Sequence, residues 1–206
     1  MREETIGAFL EQLAERVPAP GGGATAALHA AQAAALLAMV ARYSDGPRYA
    51  EHAQAIGRIL TEADALRDRA LTLAERDAAA FTAVTDAYRL PRDTEQDKIA
   101  RSTAIGQALV GAAGPPAEVV TVTRRLVELA EELLPIGNRN VITDVAAAAE
   151  AARAAATTAR INVEVNLGGI PDTEIRAEFV AVVAPVDELA ARAEQITAAV
   201  RTRITA

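Results

Sequence analysis

Cysteine and tryptophan are absent from this 206-residue chain, and it holds only three phenylalanines and three tyrosines. Without cysteine there is no disulfide, no thiolate nucleophile and no thiolate metal ligand. Two histidines, His29 and His52, are too few for a histidine-based metal site, so no metal is expected. Aromatics make up 3% and hydrophobic residues 51%, so the core must be built from alanine, leucine, valine and isoleucine. Lys98 is the sole lysine, and the net charge of −7 argues against nucleic acid or an anionic membrane as the main partner. The opening MREETIGAFLEQL carries acids from the start and has no apolar signal segment, which predicts a cytoplasmic location.

What is present is helical. No stretch sustains the period-two alternation of a strand, whereas apolar residues recur at helical spacing along the whole length. The chain is expected to be all-α, a single-domain multi-helix bundle over residues 1–206. Its centre is the run PAPGGGATAALHAAQAAALLAMVARY, 18–43. Three glycines lead into a helix expected from Ala24 to Tyr43, apolar on nearly every side and therefore surrounded by protein. A membrane span is the rival reading, but His29, Gln32 and Arg42 interrupt the run and alanine contributes little transfer energy.

A first helix is expected over 3–16, with Ile6, Phe9, Leu10 and Leu13 on one face. A long one follows from Pro47 to Tyr88. Proline and glycine then divide the remainder at Leu90-Pro91, at Gly114-Pro115-Pro116, at Pro135 to Asn138, at Gly168-Gly169 and at Pro185. Thr94 and Asp97 have the spacing of a capping box.

Four features rise above a plain bundle. Gly21, Gly22 and Gly23 could hold an anion or admit a flat ligand against the backbone, or form a tight turn only; the lysine ending of a phosphate loop is missing. Asp77 falls on the seven-residue grid of Ile56, Ala63, Ala70 and Val84, a seam position where a hydrophobe is due. Burial there raises a carboxyl pKa unless a cation such as Arg76 compensates, in which case Asp77 is a structural ion pair. Arg92, Lys98 and Arg101 form a basic cluster able to anchor a carboxylate, or a solvated patch. In the alanine-rich helix of 140–165, Asp144 and Asn162 are eighteen residues apart. They share a face but stand about 27 Å apart along the axis. Asn138, Asn140 and Asn166 lie near helix ends, where capping is the alternative role. Either one end of that helix is functional, or a second subunit packed antiparallel brings opposite ends together.

PAPGGGATAAL at 18–28, RDAAAFTAVTDAYRLPR at 76–92, GNRNVITD at 137–144 and INVEVNL at 161–167 together resemble the cyclodeaminase/cyclohydrolase family of folate enzymes. Two departures stand out: Ala24 where the family usually has serine, and Arg92 where it usually has lysine. Arginine keeps the charge but cannot serve as a proton donor. The resemblance implies a helical homodimer with sites near the subunit interface, acting on a tetrahydrofolate derivative with no metal or redox cofactor. It implies cyclodeaminase activity first, releasing ammonia from the formimino group to give the methenyl form. Hydration of the methenyl form is the alternative, and a non-catalytic dimer binding folate or a partner is a third. On this reading Asp144 transfers protons and Asp77 stabilises the cationic carbon. The glycine turn admits the pterin, Asn138, Asn140, Asn162 and Asn166 read its edge, and Arg92, Lys98 and Arg101 hold the glutamate tail.

Overall fold

The computed structural model describes residues 2–205, and among them there are seven α-helices and no strand. The helices are α1 (Ile6–Ala14), α2 (Gly22–Arg42), α3 (Ala53–Arg89), α4 (Glu95–Ile136), α5 (Ile142–Leu167), α6 (Thr173–Val183) and α7 (Val186–Thr205). A 3₁₀ helix of six residues, Pro47–His52, leads into α3, and a single 3₁₀ turn, Arg139–Val141, leads into α5.

The expected central helix is central. Helix α2 packs against α3, α5 and α4, and α7 closes over α5. By length and composition alone α2 could cross a membrane. Its alanines at 24, 26, 27, 30, 33, 34 and 38, however, are fully buried against protein on one broad face; the helix is not surrounded as expected, because Gln32, Ala35 and Arg42 on the opposite side are exposed. A methyl group is the largest side chain these positions accept, so three neighbouring helices can lie close to one axis. The alanines of α5 at 149, 155, 156 and 159 face this core in the same way. Leu37, Leu73, Leu126, Leu129 and Leu133 supply the bulk.

Helix α4 differs from expectation. Gly114-Pro115-Pro116 does not end a helix, and neither does Leu134 before Pro135: one helix of 42 residues runs through all three prolines. Each proline removes a backbone hydrogen bond, at a cost of roughly 3 kcal/mol in an isolated helix. Here Pro115 and Pro116 are themselves buried, within a stretch of α4 whose Ala112, Ala113, Ala117, Val119 and Val120 are buried too. The apolar surface they cover offsets the lost bonds. The residues four back from the pair are Gly111 and Ala112, the smallest available for a ring to pass.

Other boundaries follow the sequence. Pro185 separates α6 from α7, and Asp172 caps α6 by accepting from the amides of Glu174 and Ile175 at 2.9 and 3.2 Å. Thr94 and Asp97 form the capping box of α4. Helix α1 is shorter than expected, and of its apolar face only Phe9 is buried; Ile6 and Leu10 are 80% and 54% exposed. Phe81, placed on the interior seam of α3 by its spacing, is 46% exposed. A smaller core of Val84, Leu109, Ala112, Ala113 and Ile170 joins α3, α4 and the turn before α6.

Candidate active site beside the glycine turn

The entrance to α2 lies against the middle of α3. Gly21 takes the N-cap position in extended conformation and offers no side chain to the free amides of Gly22, Gly23 and Ala24. Asp77 fills that role from α3, its carboxylate accepting from the Ala24 amide. The approach is close enough to require glycine: a Cβ on Gly23 would stand 2.0 Å from Asp77 Oδ1 and 2.4 Å from its Cγ. Gly22 similarly makes room for Asn162, whose Nδ2 would be 3.2 Å from a Cβ there. The glycines are thus clearance for two polar side chains reaching in from α3 and α5.

Around them is a cavity of about 210 Å³ lined by Pro18, Gly21, Gly22, Gly23, Asp77 and Asn162, with Phe81, Ala112, Val165 and Asn166 completing the wall. Val165, 75% exposed, and Phe81 form an apolar lip at its mouth. Burial pushes the Asp77 carboxyl up to about 6, against the Ala24 hydrogen bond, which pulls it down. No cation compensates it. Arg76, the neighbour expected to do so, pairs instead with Glu118 at 2.7 Å. A carboxyl group with pKa near 6, half in a cavity and free of ion pairs, can take up and return a proton near neutral pH.

The expected site residues divide into three places. Gly21, Gly22, Gly23, Asp77, Asn162 and Asn166 come together in this cavity. Asp144 sits in the first turn of α5, and Asn138 and Asn140 in the turn before it, at the far end from Asn162. Asn138 is fully engaged in holding chain segments together: its amide donates to Ser44 Oγ at 2.8 Å and its Nδ2 to the Tyr43 carbonyl at 2.6 Å. Its Oδ1 accepts from the Asn140 amide at 3.0 Å. Its capping role is therefore the observed one. Asn140 is exposed, and Asp144, half-buried, forms no ion pair.

The basic cluster lies at the α3–α4 turn. Arg101 donates through Nε and Nη2 to the Tyr88 carbonyl at 3.3 and 3.0 Å, with its guanidinium 5.5 Å from the Tyr88 ring centre. It latches the turn. Lys98 pairs with Glu95 at 2.6 Å, and Arg92 is exposed. None of the three lines the cavity. Phe81, Val165, Ala112 and Pro18 were not among the expected site residues. Phe81 is four residues beyond Asp77 on α3, so helical spacing alone could have put it beside the carboxylate.

Comparison with known proteins gives a consistent picture. A profile of the formiminotransferase-cyclodeaminase family matches residues 5–184. The methenyltetrahydrofolate cyclohydrolase of Methylorubrum extorquens is 38% identical over 176 residues, which is 85% of each chain. The formimidoyltransferase-cyclodeaminase of Sus scrofa is 33% identical over 171 residues, covering 82% of this chain and 32% of that protein. The chain therefore spans about a third of the length of that two-activity relative. The crystal structure of formiminotetrahydrofolate cyclodeaminase from Thermotoga maritima superposes with a TM-score of 0.84 at 27% identity, over 97% of this chain and 98% of that one.

Proposed function

The chain belongs to the formiminotransferase-cyclodeaminase family, and on that premise we propose that it hydrates 5,10-methenyltetrahydrofolate to the 10-formyl form. The observation that carries this reading is Asp77, an unpaired carboxyl with its pKa raised to about 6, at the wall of a cavity with an apolar lip. Ionised, it takes a proton from a water attacking the cationic carbon between N5 and N10. It then returns that proton to N5 as the carbon–N5 bond breaks, leaving the formyl group on N10 and releasing one proton overall. The carboxylate also offsets the cation's charge, which counts for more in a cavity than in open water. Phe81 and the glycine backbone, both on the cavity wall, are the surfaces against which the substrate's flat rings would lie. The reaction so read needs no resident cofactor.

The hydrolytic reading stands ahead of the cyclodeaminase expected from the sequence because the relative named a cyclohydrolase matches over 85% of both lengths. The structural neighbour, named a cyclodeaminase, supports the second reading. There Asp77 handles the proton that leaves with ammonia. In both, Asp77 takes the proton-transfer role first given to Asp144, and Asp144 enters the site only from a second copy of the chain. We read the chain as a homodimer, supported by the exposed apolar Ile161 and Val165 beside the cavity. Loss of the methenyl chromophore, measured against ammonia release from the formimino substrate, separates the two activities. Asp77→Asn is expected to lower whichever is present by about 10²- to 10⁴-fold. Near-normal turnover in that variant would remove Asp77 from the chemistry.

A further inference from the structure

The cavity has a polarity that its residue names do not reveal. Asn162 Nδ2 donates to the Thr158 carbonyl at 2.9 Å, and Asn166 Nδ2 donates to the Asn162 carbonyl at 2.7 Å. Each side chain turns back along α5 to the residue four before it. A backbone carbonyl only accepts, so the atom facing it must be the amide nitrogen; the two carboxamides cannot be the other way round. The opposite atom of each, Oδ1, is then left over. Among the described residues neither oxygen has a hydrogen-bond partner, and no unpartnered side-chain oxygen or nitrogen is buried. Both oxygens are therefore open to solvent, and both residues line the cavity. Being four apart on one helix, they are neighbours on its surface, about 6 Å apart at Cβ.

We propose that Asn162 and Asn166 are specificity-determining residues that present paired carbonyl oxygens to a ligand edge rich in N–H donors. Resting on the folate reading, the inference assigns them the 2-amino and N3–H edge of the reduced pterin, leaving the one-carbon end toward Asp77. Side chains free to rotate could adapt to donors or acceptors alike. These are held by the helix backbone in one sense: one hydrogen of each Nδ2 is committed to α5 while Oδ1 keeps both lone pairs, so a ligand edge whose acceptors face the two oxygens is disfavoured. The arrangement needs no charge, which suits a ring edge that is neutral.

The test is calorimetric binding of 5-formyltetrahydrofolate and its 2-desamino counterpart, whose edge lacks the amino donors. The unaltered protein should prefer the parent compound by about tenfold or more. Asn162→Ala and Asn166→Ala should each weaken the parent; the variant that loses the amino contact should shrink the preference to within about twofold, and the one that loses the N3–H contact should weaken both compounds alike. Asn166 is nearer the end of α5, so its variant carries the test even where Asn162→Ala unfolds. Unchanged affinity of Asn166→Ala for the parent compound, with the full preference retained, would overturn the assignment. Failure of the unaltered protein to bind either compound would instead overturn the folate reading itself, and the named ligand edge with it.

Discussion

Asp77 carries two duties that pull against each other. It caps the start of α2 and, among the described residues, it is the one carboxyl whose burial lifts its pKa to about 6. The native chain therefore holds the Asp77 proton more tightly than the unfolded chain does, where the ordinary value is 3.8. Between those values stability falls as pH rises, because ionising the group costs the fold. At about 1.4 kcal/mol per unit the shift corresponds to about 3 kcal/mol, an upper figure because water reaches the cavity. Asp77→Asn should accordingly lose activity yet unfold at higher urea at pH 7, with little difference at pH 4. The acid limb of kcat/KM, expected near pH 6, should vanish in that variant. Gly23→Ala makes the complementary point. Its methyl would overlap the carboxylate, 2.0 Å from Oδ1, so Asp77 must move and turnover should fall by about 10²-fold, measurable with the same chromophore assay.

At the scale of elements, the sequence was informative where local chemistry decides and silent where burial does. The Thr94–Asp97 box and the division at Pro185 depend on neighbours within a few residues, and both were legible. So was Asp77 on the α3 seam, because a seven-residue grid runs through it. The continuity of α4 was not legible: whether Pro115 and Pro116 end a helix depends on what their rings are buried against, which lies elsewhere in the chain. The pairing of Gly23 with Asp77 is equally non-local. Two substitutions test the local side. Thr94→Ala removes the bond from the Asp97 amide and should cost about 1 kcal/mol in chemical denaturation. Gly57→Ala, in the exposed second turn of α3 with open space where the methyl goes, should instead stabilise by about 0.5–1 kcal/mol.

Over the whole molecule, charge is organised apart from the cavity. Arg125 donates to Glu62 at 2.5 and 2.8 Å and to Glu128 at 2.7 Å, tying α4 to α3, while Arg58 joins Glu62 and Glu132. Hydrogen bonding from Arg125 holds the Glu62 carboxyl below its usual value of 4.5, against the effect of burial. The support is present above that value and is lost as pH falls through the lower, native one. Glu62→Gln should therefore destabilise slightly at pH 7, by under about 1 kcal/mol, and not at all at pH 2, read from thermal unfolding at the two pH values. The three basic residues expected to grip a glutamate tail belong to this peripheral scheme in part, since Lys98 and Arg101 already have partners.

The prolines of α4 leave one more mark. Proline has no amide hydrogen, so nothing at position 116 can cover the carbonyl of Ala112, which belongs to the cavity wall. With the side-chain oxygens of Asn162 and Asn166 and the Asp77 acid on the same wall, the chamber offers a ligand mainly electronegative atoms. Such a chamber draws in a positively charged ring system and turns away carboxylates, so a bound molecule bearing both must enter cation first and leave its acidic tail outside.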